Sequence, residues 1–249
     1  SLCQLQWLTG STDAIGWGCN NAMQAFFAWS TMVGETNWGN ATYASYDLVR
    51  EYDPQDRIRR HNTICTVGEY YSELNSKNGG YTYNVTESGY DNKCNIKKHV
   101  IGKIDDNGQS YQQSSGVNTY MMRLAEVYLN LAEAILGNNA STTDETALTY
   151  FNKVRVRAGM PELKSITYEN LRYERRIEFA FEEQRFYDVR RWKIGPETQT
   201  TLHGVRFVSP TEFKVTKTDI RTWNDRLYLT PVPHDEIVRS SVLKQNPGY

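Results

Sequence analysis

The side chains of this chain with the most chemical potential are aromatic, and many of them lie near its start. The 249-residue sequence contains 17 tyrosines and 6 tryptophans. Indole and phenol rings have apolar faces that can stack on the C–H surfaces of sugars, and polar edges that can form hydrogen bonds. In residues 15–46 such rings alternate with amides, hydroxyls and glycines. The candidate binding residues of this stretch are Trp17, Trp29, Asn37, Trp38 and Tyr43.

The local sequence separates these rings into two groups. Trp17 lies between two glycines, and Trp38 lies between Asn37 and a glycine, so neither ring has bulky neighbours to pack against. Both are predicted to be exposed. Trp29 follows two phenylalanines, and the three rings could equally form one buried helix face.

Carboxylates are the second group with chemical potential, because two of them across a cleft can hydrolyse a glycosidic bond. In residues 174–190, however, every acid has an arginine close in sequence. A paired arginine lowers a carboxyl pKa, whereas a general acid needs a raised one. The chain also lacks the Gly-x-Ser-x-Gly and His-Glu-x-x-His motifs of hydrolases. The sequence therefore predicts structural ion pairs and no enzymatic activity.

No metal or cofactor is predicted. The histidines are scattered, no two cysteines have Cys-x-x-Cys spacing, and the aspartates match no calcium motif such as an EF-hand, although calcium stays an open possibility. The formal net charge of -1 gives no reason to expect nucleic acid as a partner. The cysteines could be paired or free, and they are Cys3, Cys19, Cys65 and Cys94.

Helical periodicity is strongest in residues 119–192. Apolar residues recur at helical spacing from Met121 to Ile135, and a second stripe runs from Ala147 to Ala158. These patterns predict helices over 120–136, 144–158 and 167–183. The first two form a helical hairpin of the kind found in tetratricopeptide-like stacks.

The remaining segments predict loops and a few short strands. Residues 1–118 are rich in Gly, Asn, Ser and aromatic residues and show little periodicity. Strands are expected near Tyr81–Val85 and His99–Ile104, next to Asn-Gly turns. A hairpin is expected from 205–208 and 212–215. The predicted fold is therefore mainly α, with tetratricopeptide-like hairpins, long irregular loops and a few short β-strands.

Three sequence blocks resemble the SusD/RagB family of surface lipoproteins. The first is the Arg-x-Ala-Glu-like run 123–134 with its continuation 154–161. The second is 174–192, which includes Glu-Arg-Arg-Ile-Glu and Arg-Phe-Tyr-Asp-Val-Arg-Arg-Trp. The third combines Pro231–Pro233 with the closing run 245–249. The family often has Gly at the position of Glu183, which predicts a differently shaped junction there.

The resemblance implies a non-catalytic glycan-binding protein on the cell surface. Such a protein would pass a polysaccharide or oligosaccharide to a SusC-like TonB-dependent transporter, and a lipid anchor absent from this chain would hold it to the outer membrane. The similarity covers only the family's C-terminal half, so the chain is expected to be part of a longer protein. We expect residues 1–118 to be a loop-rich ligand-binding region and residues 119–249 to be the SusD-like C-terminal region.

Two alternatives are compatible with the same resemblance. The ligand could be a peptide, or the helices could be an interaction scaffold or lid for the transporter without recognising the ligand. Oligosaccharide binding without release of a product would distinguish glycan capture from the scaffold and from an enzyme.

Overall fold

The computed structural model describes residues 2–8, 21–33, 42, 44–84, 94–108, 110–111, 114–198, 201–209, 212–220 and 222–249. The fold is mainly α, as predicted. The helices of the described residues are α1 Met23–Phe27, α2 Ser30–Val33, α3 Tyr46–Glu51, α4 Arg57–Thr63, α5 Ile104–Asn107, α6 Leu124–Leu136, α7 Glu145–Arg157, α8 Tyr168–Glu178, α9 Gln184–Arg191 and α10 His234–Arg239. Short 3-10 helices span Ser76–Asn78, Pro196–Thr198 and Asp225–Tyr228. Among these helices, none is both long and apolar enough to cross a membrane.

The strands are short and pair antiparallel in twos. Within the described residues they are β1 Cys3–Leu5, β2 Ile64–Cys65, β3 Tyr70–Tyr71, β4 Tyr81–Thr82, β5 Asn95–Ile96, β6 Ser110–Tyr111, β7 Ser114–Ser115, β8 Thr119–Met122, β9 Ser141–Thr142, β10 Ile166–Thr167, β11 Thr201–Phe207 and β12 Phe213–Ile220. The pairs are β1–β8, β2–β5, β3–β4, β6–β7, β9–β10 and β11–β12. The β11–β12 hairpin confirms the predicted one and is longer at both ends.

The predicted helical hairpin is present, and local capping explains its ends. The Asp144 side chain accepts a hydrogen bond from the backbone N–H of Ala147 and so caps the start of α7. Thr167 and Asn170 form a reciprocal capping box at the start of α8. Gly137, at the end of α6, has a φ of 54°, a conformation that glycine adopts without a steric penalty.

Three sequence predictions need correction. The first helix begins at Leu124, because Met121 lies in β8, the strand that pairs with β1, and its side chain is exposed. The third helix ends at Glu178, and a turn separates it from α9. The strand expected over 99–104 is absent; the nearby strand is β5, and the second half of that segment leads into α5.

Apolar side chains form two cores. One lies between α6, α7 and α8 and includes Leu129, Leu136, Phe151 and Leu171, all fully buried. The larger core joins α1, α2 and the short strands to α8 and the β11–β12 hairpin. It contains Cys65 and Cys94, which are free buried thiols. Cys3 is also free but exposed, and Cys19 lies outside the described residues.

Ion pairs hold α8 to its neighbours. Arg59 of α4 contacts Glu174 and Glu178 of α8, and Arg155 of α7 donates to Glu174 across 2.9 Å. Arg175 is paired with Asp188 of α9. These groups are at least nine-tenths buried. These buried charges are therefore internal links between helices, as the sequence predicted.

Candidate functional site

Four of the five predicted binding residues, Trp17, Asn37, Trp38 and Tyr43, lie outside the described residues, so their role stays a prediction. The fifth, Trp29, follows α1 and packs against the larger core. Its indole Nε1 is buried, and no described residue accepts a hydrogen bond from it. Thr42, which belongs to the same aromatic stretch as Trp38, is described and forms part of the wall of a cleft.

This cleft has a volume of about 510 Å³, within the range of roughly 300–1,000 Å³ typical of small-molecule sites. We call it the aromatic cleft. One wall comes from the first part of the chain, and the other comes from α9 and the turn before it. Its lining residues are Met23, Phe27, Thr42, Ile96, Phe179, Phe181, Glu183, Arg185, Phe186 and Tyr187.

The turn between α8 and α9 orients the wall that carries the exposed rings. Phe181 has a φ of 63° and Glu183 a φ of 64°, both in the left-handed region. Residues with a Cβ adopt this conformation at a cost of about 1–2 kcal/mol. The turn therefore keeps a backbone geometry that suits glycine, even though Glu183 stands where the SusD/RagB pattern often has Gly.

Two rings on α9 are unusually exposed for their size. The exposed fraction is 51% for Phe186 and 64% for Tyr187. The two rings meet edge to face with centroids 5.5 Å apart. The guanidinium of Arg190 lies 3.7 Å from the centroid of the Phe186 ring and forms a cation–π contact with one side of it. These rings have the flat, open faces that stacking on a sugar requires.

A second cleft of about 520 Å³ adjoins the first, and we call it the charged cleft. The two clefts share Met23, Phe181, Glu183 and Tyr187. The charged cleft is lined by side chains that already neutralise one another. Arg123 donates to Glu182 across 2.6 Å and to Glu178 across 2.9 Å.

Electrostatics in the charged cleft argue against a general acid at Glu182. Burial opposes ionisation of this carboxyl, but Lys98 and Arg123 outweigh it and lower its pKa. Glu126 of α6 does not line the charged cleft, and its pKa shifts in the opposite direction from that of Glu182. Burial raises the pKa of Glu126 despite the nearby charge of Arg175. No group of three or more potential ligands in the described parts of the chain could hold a metal ion.

Sequence reasoning missed Phe186 and Tyr187 as candidate ligand residues, because the block that contains them was interpreted as purely structural. A helical signal was available only for Tyr187. In α9 the side chains of Asp188 and Val189 are buried, and at about 100° per residue Tyr187 lies about 100° and 160° from them. Phe186 lies only about 60° from Val189, so helical spacing did not predict its exposure.

Comparison with known proteins identifies the family of this chain. Residues 6–249 match the SusD family, SusD_RagB. The chain is 40% identical over 195 residues to a SusD-like protein of Bacteroides ovatus, covering 77% of this chain and 34% of that protein. It is 33% identical over 228 residues to SusD-like protein P2 of Formosa agariphila, covering 82% and 39%. The chain belongs to the SusD family.

Solved structures agree in fold. A SusD-like protein from Bacteroides fragilis is 45% identical with a TM-score of 0.63, covering 94% of this chain and 48% of the other. A structure with xylogluco-oligosaccharide is 30% identical with a TM-score of 0.76, covering 96% and 52%. The chain thus spans about half the length of these solved chains and between 34% and 39% of the two curated relatives.

Proposed function

We propose that this protein binds a glycan without chemical turnover and delivers it to a TonB-dependent outer-membrane transporter from the cell surface. The observation that carries the proposal is the aromatic cleft, which the exposed rings of Phe186 and Tyr187 line together with Thr42 of the predicted ligand-binding stretch. Family membership supports it, as does the relative with xylogluco-oligosaccharide. Attachment to the outer membrane and a SusC-like transporter as partner are part of this proposal.

The aromatic cleft is walled by both regions of the chain. Met23, Phe27 and Thr42 come from the proposed ligand-binding region 1–118, and the rings of α9 come from the proposed C-terminal region 119–249. Trp38 belongs to the same region of the sequence as these three residues, and its role in binding stays a prediction. A sugar chain would then stack on rings from both regions.

Titration calorimetry with xylogluco-oligosaccharide and a panel of plant, host and microbial polysaccharides tests the proposal. Phe186 lines only the aromatic cleft, whereas Tyr120, 51% exposed, lines only the charged cleft. Phe186→Ala is expected to weaken binding about five- to thirtyfold, the value of one aromatic contact of about 1–2 kcal/mol. Tyr120→Ala is the matched control and is expected to leave affinity within about twofold.

Failure of the whole panel to bind would refute glycan capture. Transporter binding without any sugar affinity would instead favour the scaffold alternative, and binding of peptides alone would favour the peptide alternative. Loss of binding in Tyr120→Ala but not in Phe186→Ala would move the site to the charged cleft.

A further inference from the structure

Arg185 is a half-buried guanidinium in the wall of the aromatic cleft. Across the described residues it makes no hydrogen bond and no ion pair, unlike Arg59, Arg123, Arg155 and Arg175. A guanidinium carries five donors in a planar fork and stays charged at neutral pH. Within the described part of the chain, Arg185 therefore brings to the candidate site a positive charge without a paired acid and donors without an acceptor.

Two acids whose charges act on Arg185, Glu51 and Asp188, are bound to other cations. Glu51 is bound in two places by Arg176, and Asp188 is shared between Arg175 and Arg191. Burial and the neighbouring charge of Arg176 lower the pKa of Arg185, although Asp188 and Glu51 act in the opposite direction. The local field around this guanidinium therefore favours the arrival of an anion.

The surroundings of Arg185 would strengthen such a contact. Five aromatic rings line the same cleft, at Phe27, Phe179, Phe181, Phe186 and Tyr187. Apolar walls reduce the local dielectric constant, so a charge pair formed there is stronger than one in water. A planar carboxylate matches the guanidinium fork in two parallel hydrogen bonds.

From this geometry we infer that the aromatic cleft takes a carboxylated glycan, with a uronic acid carboxylate on Arg185 and a sugar ring against Phe186 or Tyr187. The inference rests on the proposed glycan-binding function and names its substrate class. Glu183 lines the same cleft without an ion pair to Arg185. Its carboxylate opposes the anion, so it provides a control of opposite sign.

The test compares three probes by titration calorimetry: trigalacturonic acid, its methyl ester and the uncharged xylogluco-oligosaccharide. The acid and the ester share one sugar backbone, so the difference between their affinities reports the effect of the carboxylate charge. The acid is expected to bind about 5- to 50-fold more tightly than the ester, the range of a partly solvated charge-assisted hydrogen bond. Added salt is expected to reduce this preference.

Variants of Arg185 and Glu183 then test which residue causes the preference for the acid over the ester. Arg185→Gln is expected to abolish the preference for the acid and to weaken ester binding less, because the ester carbonyl accepts only a hydrogen bond between a cation and a neutral group. Arg185→Lys is expected to keep part of the preference, because it retains the charge without the fork. Glu183→Gln is expected to improve acid binding about two- to fivefold. Melting temperatures show whether each variant is folded.

The outcomes separate this inference from the proposed function. Equal affinity for acid and ester in the unmodified protein overturns the carboxylate assignment and needs no variant. If the xylogluco-oligosaccharide still binds in that case, glycan capture stands. Absence of binding by all three probes overturns the carboxylate assignment, and the proposed function is overturned as well only if the whole polysaccharide panel fails to bind. Tighter binding of a sulfated oligosaccharide than of the acid would also overturn the carboxylate assignment.

Discussion

The guanidinium of Arg175 in α8 donates hydrogen bonds to the carboxylate of Asp188 in α9, with Nε 2.9 Å from Oδ2 and 3.1 Å from Oδ1. Both side chains are 3% exposed. The turn with Phe181 and Glu183 lies between them in sequence. This contact therefore fixes the angle of α9 and, with it, the position of the exposed rings.

The contrast between Arg175 and Arg176 gives the first prediction. Arg175→Ala would leave Asp188 buried with one cation fewer, and we expect a loss of about 3–5 kcal/mol in the free energy of unfolding. Arg176, whose side chain is 30% exposed, pairs with Glu51 at the surface. Arg176→Ala is the matched control, with an expected loss of about 1 kcal/mol or less. Thermal and urea unfolding measure both, and equal losses would contradict the prediction.

The lowered pKa of Glu69 predicts that the protein loses stability at acid pH. Burial would raise its pKa, but hydrogen bonds from Arg60, Tyr71 and His61 outweigh burial and lower it from 4.5 to about 2. Because the folded-state pKa is lowered, the stabilisation is complete above about pH 4.5 and disappears as the pH falls towards 2. The ionised carboxylate of Glu69 contributes at most about 3 kcal/mol to the free energy of unfolding.

Urea unfolding of the wild type and of Glu69→Gln at several pH values between 2 and 7 checks this expectation. The difference in unfolding free energy between the two proteins should shrink as the pH falls through this window. A difference that stays constant from pH 7 to pH 2 would show that the ionised carboxylate is not the stabilising group.

The left-handed backbone at Glu183 predicts that glycine fits this position better. Glu183 has a φ of 64°, so Glu183→Gly removes the steric cost of its Cβ. The gain is partly offset by the greater entropy of glycine in the unfolded chain. We expect a net increase of about 0.5–1 kcal/mol in unfolding free energy by urea titration. Glu183→Gln keeps the Cβ and removes only the charge, so a similar gain in both variants would point to charge instead of backbone strain.

Trp38 carries the prediction for the aromatic stretch. Trp38→Ala is expected to weaken glycan binding about five- to thirtyfold, the value of one stacking contact of about 1–2 kcal/mol, with the melting temperature nearly unchanged. Calorimetry with the same polysaccharide panel measures the affinity. A destabilised variant that binds normally would show that Trp38 is a core residue, and the ligand site would then be sought at Trp17 and Tyr43.

The amino-acid sequence by itself determined that α6, α7 and α8 are helices, although not where α6 begins or α8 ends, because apolar spacing and capping residues such as Asp144 and Thr167 act over a few neighbouring residues. It also indicated the family, the β11–β12 hairpin and the structural role of the charges in α8. These features depend on local periodicity or on pairs of residue types, and both are visible in a linear sequence.

The tertiary structure decided the features that depend on distant partners. Met121 has a helical spacing but lies in a strand, because β1, more than a hundred residues earlier, pairs with the residues on either side of it. The exposure of Phe186 and the lack of a partner for Arg185 among the described residues also follow only from how α9 packs against the other described elements. Burial and charge compensation are sums over contacts distant in sequence, so local patterns could not predict the aromatic cleft.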